Sequence, residues 1–187
     1  MKHNTYNLQW LLNKTEKKEH VKYLFFWGHT PSKDGSVTGT CFSQWWQSSF
    51  EIEGIRYATA EHWMMAKKAE LFMDKEMLEK ILMAKSPHEA KQLGRQVRNF
   101  DPKIWGENCF DIVCEGNYHK FTQHPDLKEF LLNTKDRIIV EASPRDRIWG
   151  IGMGKSNENA ERPQLWRGKN LLGFALMEVR DRLKNET

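Results

Sequence analysis

The chain has 187 residues, 29 Lys and Arg against 25 Asp and Glu, and a formal net charge of +4. With 39% hydrophobic and 29% charged residues it is composed like an ordinary globular protein, long enough for one domain with a sizeable core and too well balanced for a disordered tail. A charge of +4 falls short of the basic stripe of a strong nucleic-acid binder, but it suits a small anionic substrate. No window approaches 18 consecutive apolar residues, and Met1–Tyr6 lacks the apolar run of a signal peptide, so neither a membrane span nor secretion is expected. Cys41, Cys109 and Cys114 form no CxxC pair and read as reduced thiols of a cytoplasmic protein.

In chain order, residues 1–22 are polar, with scattered Leu and Trp over Thr5–Glu19, and read either as a short helix packed on the body or as an arm. Val21–Trp27 is rich in β-formers and predicts a strand, followed by a Gly- and Ser-containing loop to about Gly39. Phe50, Ile52, Ile55 and Tyr57 flank Glu53-Gly54, the pattern of a hairpin. Thr59 caps a helix predicted over Ala60 to about Phe72. Met77, Leu78, Ile81 and Leu82 place a second helix in Lys75–Ala84. Ser86-Pro87 and Asp101-Pro102 start two more, with Pro at the first helical position. A short helix over Asp126–Leu132, a buried strand at Ile138–Val140 and an amphipathic helix over Asn170–Leu183 complete the chain. The sum is an α+β fold, mostly helical: a single compact domain with a small β-sheet.

Two stretches stand apart from core-building. On the Thr59-capped helix, Glu61 shares a stripe with Met65, Ala69 and Phe72, so its carboxylate points with them toward the core. Burying an unpaired carboxylate costs several kcal/mol or shifts its pKa. Two readings follow: Glu61 lines a cavity, or it complements the helix dipole in the first turn. His62 points about 100° away on the same helix, which argues against its serving as a base beside Glu61. The other stretch, Glu141–Lys155, places Asp146, two Arg, Trp149, Gly150, Gly152, Gly154 and Lys155 just past a strand end, where scaffolds commonly display chemistry. Its Gly-x-Gly-x-Gly spacing is not a dinucleotide fingerprint, because no helical pattern follows directly. Its glycines would let backbone N–H groups face a phosphate or sugar. Lys67, Lys68, Arg95 and Arg98 are candidates for phosphate-binding charge, and Trp105 for stacking on a heterocycle. The seven His show no HExxH or comparable ligand spacing, so no metal site is expected.

Taken together, Thr59-Ala60-Glu61-His62-Trp63, Ala66-Lys67-Lys68, Ala90–Arg95, Lys120-Phe121, Glu141–Gly152 and Asn170–Gly173 resemble the NADAR family over about Tyr23–Leu183. This makes residues 23–187 the expected NADAR-like domain and 1–22 an arm outside it. The resemblance implies an N-glycosidase that cleaves the C–N bond between ribose and an aminated heterocycle. Two substrate groups are implied: ribosylamino-pyrimidine phosphates of riboflavin synthesis, and ADP-ribose attached to guanine in nucleic acid. It also places the family's motif acid on Glu61, its central-helix tryptophan on Trp105, the acid before Trp-Gly on Asp146, and its Asn-Leu-Leu-Gly block at Asn170.

Glycosidic cleavage builds positive charge on the sugar ring, which calls for a carboxylate near the anomeric carbon, a flat clamp on the leaving group and cations for phosphate. The expected assignment is Glu61 for water activation or cation stabilisation and Asp146 for sugar positioning, with the reverse open. Trp105, Trp149, Lys68, Arg95, Gly150, Gly152, Lys155 and Asn170 are expected to bind substrate, and no cofactor is required. A module that binds ADP-ribose or a nucleotide without cleaving it is the competing class; an inward acid facing the sugar would repel such a ligand. The sequence fixes no oligomeric state.

Overall fold

The computed structural model describes residues 4–186. The architecture is α+β and mostly helical. Seven α-helices and two separate two-stranded sheets are present among the described residues. The chain falls into two compact units, one comprising residues up to Ser43 together with Asp126 onward, the other Gln44–Pro125.

In the first unit, helix α1 (Leu8–Glu16) precedes strand β1 (Tyr23–Phe26) and a 3-10 turn at Gly39–Phe42. After the second unit come α6 (Pro125–Leu132), β4 (Ile138–Glu141), a 3-10 turn at Pro163–Leu165 and α7 (Leu171–Asn185). β1 pairs with β4 in parallel, Tyr23 opposite Ile138 through Phe26 opposite Glu141. Ile138, Ile139 and Val140 are buried, as their unbroken apolar run indicates. α7 buries the expected stripe of Leu172, Leu176, Val179 and Leu183. In α1, Asn7 caps the start by accepting from Trp10 N–H, and Leu11 is buried. Ahead of it, the Tyr6 hydroxyl donates to Asp181 at 2.5 Å and its backbone N–H to Glu178 at 2.8 Å.

In the second unit, β2 (Phe50–Ile52) and β3 (Ile55–Tyr57) form the expected antiparallel hairpin. Its two-residue turn puts Glu53 at φ 52° and Gly54 at φ 79°, the left-handed pair that matches strand twist. Four helices follow: α2 (Ala60–Leu71), α3 (Lys75–Met83), α4 (Pro87–Gly94) and α5 (Pro102–Gln123). Each begins on a side-chain cap: Thr59, Asp74, Ser86 and Asp101 accept from backbone N–H groups in the first turn.

α2 departs from a simple amphipathic reading. Besides the predicted stripe it buries Ala60, His62, Trp63, Met64 and Ala66, so its first two turns run through the middle of the unit. Close approach makes this possible: a Cβ on Gly116 of α5 would meet the Trp63 indole at 2.2 Å, and one on Gly94 of α4 would meet Met65 Sδ at 2.0 Å.

Candidate functional site

Within the second unit, Glu61 stands in the first turn of α2 and is only 5% exposed. Its backbone N–H donates to the Gln44 carbonyl at 3.0 Å, which anchors the start of the helix. The Gln44 side chain accepts at Oε1 from Asn117 Nδ2 at 2.8 Å, and that nitrogen also reaches the Val113 carbonyl at 2.9 Å. Gln44 Nε2 and Asn117 Oδ1 are buried without a hydrogen-bond partner. Buried polar atoms are almost always satisfied, so this donor and this acceptor mark a place where a bound molecule or water completes the network. His62 is different: its ring nitrogens lie 2.8 Å from Thr59 Oγ1 and 3.0 Å from the Ala84 carbonyl, and burial lowers its pKa. It is a structural, neutral histidine.

Lys68 lies seven residues after Glu61, two turns further along nearly the same face of α2 and about 10 Å along its axis. Its ammonium donates to the Gly94 carbonyl at the end of α4 (2.8 Å) and sits 4.2 Å from the Phe100 ring centre and 5.7 Å from that of Trp105. Partial burial, and then neighbouring Arg95, lower the Lys68 pKa. The second unit therefore gathers three predicted residues, half-buried Lys68 and Trp105 with exposed Arg95. Arg98 is not part of this anion-facing set, because its guanidinium is spent on Asp74.

The first unit holds the other predicted group. Asp146 organises its loop: Oδ1 accepts from the N–H groups of Ile148 (2.8 Å), Trp149 (2.7 Å) and Gly150 (3.4 Å). The next N–H groups are also spent locally, Ile151 on the Glu141 carbonyl and Gly152 on the Asp146 carbonyl. The expectation that this backbone turns its N–H groups toward a phosphate is thus not met over residues 148–152. The glycines serve packing instead. Arg167, Lys169, Asn170, Leu171 and Leu172 donate to the carbonyls of Ile151, Arg147, Gly150, Ile148 and Trp149, so a second strand of loop lies directly on the first. A Cβ on Gly150 would meet the Glu141 carbonyl at 2.9 Å, and Gly152 has φ 69°. These contacts also tie the loop to the start of α7, a helix that no local pattern connects to it.

Asn170 is fully buried at φ 53°. Its amide Nδ2 donates to the Ile139 carbonyl at 2.9 Å and its Oδ1 accepts from Glu141 N–H at 3.0 Å, so it satisfies the β4 edge that β1 leaves open. Expected as a substrate contact, Asn170 has both ends of its amide committed to the scaffold. Trp149 is half-buried. Exposed Lys155 lines a cleft of about 380 Å³ with Phe25, Phe26, Trp27, Thr38 and Ala142. This cleft opens at the carboxyl ends of the parallel strands β1 and β4, the edge at which α/β sheets commonly hold ligands.

Several residues here were not singled out from the sequence. Trp27, 61% exposed at the end of β1, and Thr38 line the Lys155 cleft; a large aromatic immediately before a glycine loop was the available signal. Asn117, fully buried on α5, continues the helical spacing of Val113 toward Lys120, so a polar residue on a core stripe was the signal there. Among the described residues no group of three His, Cys, Asp or Glu is placed to hold a metal ion, and no helix is long and apolar enough to cross a membrane.

Comparison with known proteins agrees with this architecture. The pattern of the NADAR domain matches residues 25–184, running through both units. An N-glycosidase of Acanthamoeba polyphaga mimivirus is 45% identical over 168 residues, covering 87% of this chain and 97% of the relative. The N-glycosidase YbiA of Escherichia coli is 32% identical over 146 residues, covering 78% and 80%. The solution structure of E. coli YbiA superposes with a TM-score of 0.66 at 26% identity, covering 89% of each chain. The chain belongs to the NADAR domain family, as an enzyme of the N-glycosidase type.

Proposed function

We propose that this enzyme hydrolyses the C–N bond between a ribose phosphate and an aminated heterocycle, with ribosylamino-pyrimidine phosphates as the substrate class. The observation that carries the reading is the buried Glu61 at the head of α2, whose backbone N–H is anchored on Gln44, a member of the incompletely satisfied Gln44–Asn117 amide pair. In a site shielded from water, a carboxylate stabilises a developing oxocarbenium ion or takes a proton from the attacking water far more effectively than in bulk solvent. Glu61 takes that role. Lys68 supplies a cation two turns away along the same helix face, Arg95 at the end of α4 supplies a second beside it, and Trp105, against which the Lys68 ammonium rests, supplies a flat surface for the leaving heterocycle.

Asp146 has a more indirect part than the sequence suggests. One of its oxygens is committed to three backbone N–H groups, so it shapes the loop that carries Trp149 and leaves only Oδ2 for a ribose hydroxyl. Within the first unit, Lys155 and Trp27 line the cleft at the β1 end and form a separate anion-and-ring surface.

The test is to incubate the full chain with a ribosylamino-pyrimidine 5′-phosphate, its dephosphorylated form and ADP-ribosylated guanine DNA, and to assay released base and sugar. Cleavage of the phosphorylated pyrimidine, lost in Glu61→Gln, supports the reading. Release of ADP-ribose from DNA with no action on the pyrimidines would move the substrate to the ADP-ribosyl class. Tight binding of either substrate without any product would reduce the chain to a binding module.

A further inference from the structure

A cleft of about 770 Å³ in the first unit is lined by none of the residues assigned above. Its walls come from α1 and the segment His20–Lys22, from residues 132–138 at the end of α6 and the start of β4, and from the second half of α7. The whole α1 side therefore precedes residue 25, where the NADAR match begins.

The charge in this cleft is uneven. Lys14, Lys22, Lys135, Arg180 and Lys184 line it against two carboxylates, Asp136 and Asp181. Lys14 is paired with Glu19 and Asp181 is engaged by the Tyr6 hydroxyl, whereas Lys22, Lys135 and Lys184 have no ion-pair partner among the described residues. Arg180 gives the more specific sign. It is only 3% exposed, and Nη1 donates to Thr134 Oγ1 at 2.9 Å and to the Arg137 carbonyl at 2.8 Å. The guanidinium is ion-paired with the Asp181 carboxylate, 3.9 Å from Nε, but that distance is beyond hydrogen-bond reach, so the buried Nε–H has no hydrogen-bond partner. A charged donor left unmade in the interior is costly, and such atoms usually face a ligand or ordered water. Beside these cations stands half-buried Trp10, held edge-on by Tyr6 with ring centres 4.8 Å apart.

From these features we propose that the cleft between α1 and α7 is a binding site for a small phosphorylated aromatic ligand, a nucleoside monophosphate in class. The phosphate meets Lys22, Lys135 and Arg180, and the ring lies against Trp10. Excess positive charge with a buried unsatisfied guanidinium donor fits a dianion, and the tryptophan wall selects a flat group over a bare ion. The site is independent of the catalytic reading, since neither Glu61 nor the Asp146 loop contributes to it.

The experiment is calorimetric titration of the full chain with AMP, adenosine and inorganic phosphate. It is repeated on the double variant Lys22→Gln with Lys135→Asn; Asn is chosen because Lys135 has φ 56° and Asn tolerates that conformation. Both lysines are exposed, so the variant should melt like the wild type. The expected result is saturable one-to-one AMP binding, weaker binding of adenosine and of phosphate alone, and a loss of AMP affinity of about tenfold or more in the variant. Failure of AMP to bind at millimolar concentration would overturn the proposal. So would AMP affinity unchanged in the double variant, phosphate binding as well as AMP, or AMP binding abolished by Glu61→Gln instead.

Discussion

The backbone N–H of Trp149 donates to Asp146 Oδ1 at 2.7 Å, the shortest of the bonds by which one carboxylate oxygen gathers the N–H groups of residues 148–150. An aspartate that sequence reasoning assigns to the sugar is thus first a turn-former. Two substitutions separate the roles. Asp146→Asn keeps an Oδ1 acceptor and should hold the loop, whereas Asp146→Ala strands three loop donors, two of them part-buried, at a cost of about 1 kcal/mol. Thermal melts should show Ala well below Asn, with Asn near wild type. If Asn melts normally yet loses turnover, the carboxylate charge contributes to substrate handling; if Asn keeps full activity, Asp146 acts on structure alone.

Glu61→Gln preserves shape in the core of α2 and removes the charge. Turnover should fall roughly a hundredfold or more, the usual contribution of a positioned charge-stabilising or acid–base group, while substrate binding and circular dichroism stay unchanged. A Gln variant with wild-type turnover would return Glu61 to the helix-dipole reading.

The Lys68 and Lys155 surfaces belong to different units and can be separated by substitution. Each charge-assisted phosphate contact is typically worth about 1.5–3 kcal/mol, so losing the right one should weaken selection for the 5′-phosphate by roughly tenfold to a hundredfold. We expect Lys68→Gln to erase that selection. Kinetics with phosphorylated and dephosphorylated substrate on Lys68→Gln and Lys155→Ala identify the group; selection lost only with Lys155 would shift the phosphate to the cleft beside Trp27.

Acid stability should depend on Asp74. Hydrogen bonds from the Arg98 side chain (3.1 Å from Nε, 2.6 Å from Nη2), then from its backbone N–H (2.9 Å), hold the Asp74 carboxyl well below the usual carboxylate range. A pKa lower in the folded than in the unfolded chain means the ionised group stabilises the fold above the unfolded value of about 3.9. That contribution fades as pH falls below it toward the folded value. The melting temperature should therefore drop on acidification below about pH 4, and Asp74→Asn should show a smaller drop over the same range. Equal acid sensitivity in the two proteins would assign the effect to other carboxylates.

Gly168 tests the stacked loops. A Cβ there would lie 2.2 Å from the Gly150 carbonyl oxygen and 2.8 Å from Arg147 Cα, both backbone atoms that cannot swing away. Gly168→Ala should cost about 1–3 kcal/mol and lower the melting temperature by several degrees. Gly154→Ala, with nothing within 4 Å of its Cβ, should melt like wild type.

Local chemistry alone determined most of the element list. Thr59, Ser86 and Asp101 announce their helices because an oxygen at the cap satisfies N–H groups that the helix leaves open. Glu53-Gly54 announces its hairpin because few residue pairs accept two left-handed conformations. The inward aim of Glu61 was equally legible, since helical periodicity needs no knowledge of what lies opposite. What only the tertiary structure decided was the use of polar groups by partners far away in sequence. Asn170 looked like a ligand contact until β4 took both ends of its amide, and Gly150 and Gly152 looked like part of a phosphate cradle until residues 167–172 packed on their loop. A polar side chain's function depends on which acceptor or donor reaches it first, and for these residues that partner arrives by folding across tens of residues, where no local spacing can record it.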